Sequence, residues 1–131
     1  MILSLNKNEK SGFIVKNEII DEILNDWVRK LNEDEFYFTH AFETLIESFT
    51  SYEAFDFIEL MVQTILKLDN PFLVNQFIFF TGCLYSKAKT TELHPVMEKN
   101  LPAIEKHILQ LQNSGVHREW QELKRDLRLP S

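Results

Sequence analysis

Residues 72–85, FLVNQFIFFTGCLY, are apolar on nearly every side, and such a segment folds only where other elements surround it. A short apolar run alone leaves an internal strand open, but this one is longer than most strands, so it predicts a central helix. Asp69-Asn70-Pro71 supplies both a stop and a start: Asn or Asp caps the helix, and Pro at the first helical position forfeits no needed donor. The helix should end near Ala88. Only three Gly and four Pro are spread over 131 residues, which suits long helices better than the many tight turns of a β-sandwich.

Helical spacing recurs on both sides of this segment. Ile19, Ile20, Ile23, Leu24, Trp27, Val28 and Leu31 form one apolar stripe, with Asn17 as its expected cap and Glu18, Asp21 and Glu22 in the first turn, where the dipole favours anions. A second helix is expected from Asp34 to Ser51 around Phe38, Phe42, Leu45 and Phe49, with Asp34 or Asn32 beginning it. Ser51 is the expected cap of a third, Tyr52 to Leu68, with Phe55, Ile58, Val62, Ile65 and Leu66 inward. Beyond the connector KTTEL, His94 to Asn113 carries Val96, Leu101, Ile104, Ile108 and Leu111, and Pro102 should bend or restart it. Asn113-Ser114-Gly115 closes that helix, and Val116 to Leu127 turns Trp120, Leu123 and Leu127 inward. The expectation is an all-α fold of five to six helices in antiparallel hairpins, an irregular helical bundle or short helical array. Residues 1–131 read as one domain, with 1–16 a loose arm or single short element broken at Ser11-Gly12, and 17–127 the helical body.

An apolar content of 44% with eleven Phe excludes disorder along the whole length. The single cysteine, Cys83, permits no internal disulfide and reads as a small buried hydrophobe. MILSL is too short for a secretory apolar region and no run reaches membrane-spanning length, so a cytoplasmic protein with no membrane contact is expected. A net charge of −6 argues against nucleic acid as a partner, since phosphate neutralisation needs clustered Lys and Arg. Charge is also uneven: residues 1–70 carry six cations against fourteen acids, a net of −8, and residues 71–131 eight against six, a net of +2.

No phosphate-binding loop, paired Cys at metal spacing, HExxH or nucleophile elbow is present, so no enzyme activity and no cofactor are expected. His40, His94, His107 and His117 are far apart and read as partly exposed helix residues. His40, Glu43 and Glu47 share a helix face at ligand-like spacing, yet that face lies opposite the apolar arc of its own helix, whereas metal sites in helical bundles need ligands converging from several helices into the core. A solvated face is the expectation there, and no metal.

Between Lys30 and Lys67 there is no cation, while Glu33, Asp34, Glu35, Glu43, Glu47, Glu53, Asp56 and Glu59 supply eight acids. Phe36, His40, Glu43 and Glu47 fall in one stripe, and Tyr52, Asp56, Glu59 and Gln63 in another at the same spacing on the next helix. Together they predict a partner-binding surface of acids with an aromatic at each end, suited to Lys and Arg through ion pairs and cation–π contact. Phe36, Tyr37 and Phe57 have an alternative reading as core aromatics beneath the N-terminal arm; Phe36 and Tyr52 are kept as candidate anchors. Acidic helices also serve solubility. Against that, exposed helices ordinarily mix Glu with Lys, because opposite charges four apart help by roughly 0.2–0.5 kcal/mol and like pairs cost as much.

The length, the helical run Asn17 to Leu127, the lone Cys83 and the stretch EDEFYFTHAFETLIESFTSYEAFDFIEL resemble the immunity proteins of bacterial contact-dependent growth inhibition and related polymorphic toxin systems. That resemblance implies a small cytosolic antitoxin that binds a cognate toxin domain, commonly a nuclease with a basic groove, and covers its active site or an adjoining surface. The alternative is a helical adaptor or regulator that takes a partner helix in an apolar groove, and a metal-dependent enzyme centred on His40 ranks third.

Overall fold

The computed structural model describes the backbone of residues 9–130 and the side chains of residues 16–130. Residues 1–8 of the expected arm lie outside the described residues. Among the described residues there are seven α-helices and no strand: α1 Glu9–Leu24, α2 Trp27–Glu33, α3 Tyr37–Glu47, α4 Ser51–Lys67, α5 Pro71–Ala88, α6 Pro95–Leu111 and α7 Ser114–Asp126. None of the helices is long and apolar enough to cross a membrane. The chain divides into two compact units at Thr44/Leu45.

In the first unit, α1 runs through Ser11-Gly12, where a break was expected, and passes through Asn17, expected as a cap. The expected helix 17–31 is instead interrupted at Asp26, whose φ of 55° is left-handed. Asp tolerates that conformation better than most residues. This interruption adds a helix, and the described residues carry seven where five to six were expected. It also turns Val28 outward, 54% exposed, although periodicity placed it inside with Ile20 and Ile23, which are buried. Lys30 Nζ ties α2 back to α1 through the Glu22 carbonyl at 2.8 Å and carboxylate at 3.1 Å. The Tyr37 hydroxyl donates to the Ile23 carbonyl at 2.9 Å, and Trp27 lies 6.2 Å from the buried Phe38. Tyr37 therefore works as a tie between helices.

In the second unit, Thr50 is the cap of α4, not Ser51: its hydroxyl accepts from the Glu53 N–H at 3.1 Å and the Glu53 carboxylate accepts from the Thr50 N–H at 2.8 Å. This reciprocal box demands an extended Thr50, which stops α3 at Glu47, short of the expected Ser51. Asn70 and Pro71 start α5 as expected, with the Asn70 side chain accepting from the Leu73 N–H at 3.2 Å, and α5 ends at Ala88. α6 continues through Pro102, so of the expected bend or restart the restart does not occur. Asn113, expected to close α6, caps α7 by accepting from the Val116 N–H at 3.0 Å, so α7 starts at Ser114.

α4 packs against α5 and α6, and α7 against α5 and α6. The fully buried side chains Phe57, Ile58, Met61, Val62, Val74, Phe77, Leu84, Ile104 and Trp120 form this core, each worth about 1.5–3 kcal/mol of burial. α5 is surrounded as its sequence predicts, except that Phe72 and Phe79 remain 41% and 50% exposed. Phe55, Leu66, Val96, Leu101 and Leu111, expected inside, are half-buried, as is Cys83. The buried Thr64 and Thr81 hydroxyls donate to the Leu60 and Phe77 carbonyls of their own helices, both at 2.7 Å. His107 Nε2 meets the carbonyl of Leu68, the C-cap of α4, at 2.7 Å; as that oxygen can only accept, Nε2 carries the hydrogen.

Candidate functional site

The first stripe begins where α2 gives way to α3. Asp34 accepts from the Phe36 N–H at 3.0 Å and from His40 Nδ1 at 2.7 Å, so one carboxylate both closes the turn before α3 and orients the imidazole. The bond to His40, followed by that to the Phe36 N–H, holds the Asp34 carboxyl below the usual carboxylate range. Phe36 is 56% exposed, its ring 6.2 Å from the His40 ring. Asp34, Phe36 and His40 are thus one small exposed cluster, and Glu43 is exposed farther along the helix. Periodicity identified Phe36 and His40; the Asp34 clasp was invisible to it, because a loop residue shares no helical period.

In the second unit, Glu47 is exposed and Tyr52 is 79% exposed, the most open large hydrophobic side chain of the described residues. Asp56, Glu59 and Gln63 are half-buried rather than fully solvated, and Gln63 Nε2 donates to Glu59 Oε2 at 3.5 Å. Their helix packs against α6, and the residue before α6 feels the charges of Glu59 and Asp56. His94 is buried, contrary to its reading as a partly exposed helix residue, and its ring lies 4.9 Å from that of Phe55 on α4. Its Nδ1 caps α6 by accepting from the Val96 N–H at 3.0 Å, and its own N–H donates to the Tyr85 hydroxyl at 3.0 Å. Burial pushes the His94 imidazole down, against the upward pull of Glu59 and Asp56. Burial likewise pushes the Tyr85 hydroxyl up. The dipeptide His94-Pro95 carried the available signal, since Pro at the first helical position marks its predecessor as the cap.

A second polar group escaped the sequence reading. Lys124 on α7 is buried, and its Nζ donates at 2.7 Å to Glu105 Oε2 on α6, which also accepts from Trp120 Nε1 at 3.0 Å. Burial raises the Glu105 carboxyl, but Lys124 and Trp120 outweigh it and leave the group lowered. The pair ties α7 to α6 and gives the buried Lys124 ammonium its counter-charge.

Glu35, Glu43 and Glu47 make no ion pair with any described residue, in contrast to Glu22, Glu33 and Glu105. Among the described residues no group of three or more His, Cys, Asp and Glu is placed to hold a metal ion. The chemistry on offer is acceptance of cations by open carboxylates, beside the aromatic surfaces of Phe36 in one unit and Tyr52 in the other. No family model, no curated protein and no solved structure matches the chain.

Proposed function

We propose that the chain is an immunity-type protein that binds a basic toxin domain and neutralises it by occupying its active site or an adjoining surface, using the carboxylates of the cation-free interval. The observation that carries this reading is the absence of any Lys or Arg from residue 31 to 66, together with exposed Glu35, Glu43 and Glu47 that answer no described cation. Self-repulsion among acids lowers stability, and a concentrated negative field is repaid when it steers a cationic partner. The contact residues of this reading are Phe36, His40 and Glu43 in the first unit, with Phe36 as anchor, and Glu47, Tyr52, Asp56, Glu59 and Gln63 in the second, with Tyr52 as anchor. An irregular helical bundle serves as the scaffold, and the protein acts in the cytoplasm.

The test is association with the basic C-terminal domain of a large secreted protein encoded beside this chain, followed by stopped-flow fluorescence. Changing Glu43 and Glu47 to Gln should slow association about tenfold at low salt, and the difference should shrink as salt rises. Association kinetics indifferent to both the substitutions and the salt would sink the proposal.

A further inference from the structure

The seam between α5 and α7 carries a second surface, independent of the cation-free interval. Three adjoining depressions of about 400, 220 and 590 Å³ follow this seam. Glu119 and Glu122 line both of the first two, and Ser86 and Asp126 line both of the last two, so they form one continuous groove. It reaches from Pro71 to Lys89, the full length of α5, or about 27 Å at the helical rise.

The two walls differ in chemistry. On the α5 side stand Phe72 and Phe79, 41% and 50% exposed, two turns apart on a helix whose other aromatics are largely buried. On the α7 side stand Glu119, Glu122 and Asp126, none of them in an ion pair with a described residue. Burial, and then the neighbouring Glu122, push the Glu119 carboxyl up, against the opposing effect of Arg118. Arg118 lines one end of the groove and Lys89 the other, while the middle depression is lined by Glu119, Glu122 and Asp126 and by no Lys or Arg, so negative charge is concentrated at the centre of the groove.

We infer that the α5/α7 groove is a docking site for a basic amphipathic helix of a partner protein, whose apolar face lies on Phe72 and Phe79 and whose Lys or Arg side chains reach Glu119, Glu122 and Asp126. A groove between two helices accepts a third through an apolar stripe at helical spacing. Its length matches a helix of about 18 residues. Charge fixes the kind of helix, because an acidic wall repels an acidic or phosphorylated segment and attracts Lys and Arg, whose aliphatic stems also cover aromatic rings.

The probe is a fluorescein-labelled Leu/Lys peptide of about 18 residues with Leu on one helical face and Lys on the other. It is titrated into the full chain by fluorescence anisotropy beside a counterpart with Glu in place of Lys. Saturable binding of the Lys peptide alone is expected, weakened about tenfold by Phe79→Ala and by the double change Glu119→Gln with Glu122→Gln. Glu43→Gln with Glu47→Gln should leave it unchanged, which separates this groove from the interval proposed above. Amide chemical shifts should move along α5 and α7, and circular dichroism of each variant checks that it folds. No saturable binding, equal binding of the Glu peptide, shifts lying elsewhere, or loss of binding only with the Glu43 and Glu47 changes would overturn the inference. So would a dimer of this chain that Phe79→Ala dissolves.

Discussion

Removing the Glu105 carboxylate and removing the Lys124 ammonium should not have equal effects. Glu105→Ala leaves a buried cation unpaired and the Trp120 N–H without its acceptor, whereas Lys124→Met leaves an acid that is 41% exposed and still accepts from Trp120. Breaking a buried pair costs about 3–5 kcal/mol, but solvent reaching Glu105 reduces that to about 1–3 kcal/mol for Glu105→Ala, with Lys124→Met costing less than half as much. Urea denaturation of both variants reads the difference. His94 supplies a pH dependence of defined sign. Its folded imidazole binds a proton less readily than the unfolded one, so its contribution is complete above the ordinary histidine range and is lost as pH falls from there toward the lowered folded value. Protonation also removes the Nδ1 acceptor that caps α6. The urea midpoint should therefore fall more between pH 7.5 and pH 5.5 in the parent than in His94→Asn, which can cap without titrating. Lys124 did not declare itself in the sequence, and His94 did so only as the residue before Pro95, because a one-dimensional pattern assigns polar residues to the outside and cannot show which partner satisfies a buried one.

At the scale of the element, ends proved less legible than interiors. The apolar periods of α4 and α7 were plain, α5 was marked by a run apolar on nearly every side, and Asp69-Asn70-Pro71 placed its start. Thr50 and Ser51 are both good caps, and only the reciprocal bond with Glu53 selects the former. The break at Asp26 had no Gly or Pro to announce it, so α1 and α2 read as one helix whose stripe carried Val28 to the wrong side. Three consequences can be measured. Thr50→Ala should cost about 1 kcal/mol, while Ser51→Ala should change stability by less than half of that. Lys89→Gly and Gln112→Gly, at helix ends with left-handed φ of 60° and 51°, should each be neutral or stabilise by up to about 1 kcal/mol. Denaturant midpoints of the four single variants suffice.

For the whole molecule, sequence conveyed the charge and its segregation but not its depth. Period alone gave Asp56, Glu59 and Gln63 the same standing as Glu43 and Glu47, but the first three are half-buried on α4, which packs against α5 and α6, and the last two are exposed. The groove along α5 and α7 was equally hidden, since it needs two helices remote in sequence to lie side by side. With so many acids unanswered, raising ionic strength from about 0.01 M to 0.15 M, which shortens the screening length from about 30 Å to about 8 Å, should raise the urea midpoint. Glu43→Gln with Glu47→Gln should reduce that gain. The bond from His107 to the Leu68 carbonyl has a different kind of consequence, because it joins the tail of α4 to a side chain 39 residues later. Detaching α6 strips that oxygen of its donor, so fraying at the end of α4 and opening of α6 become a single event. Amide hydrogens in both segments should then exchange with deuterium at a common rate, and His107→Ala should let them drift apart.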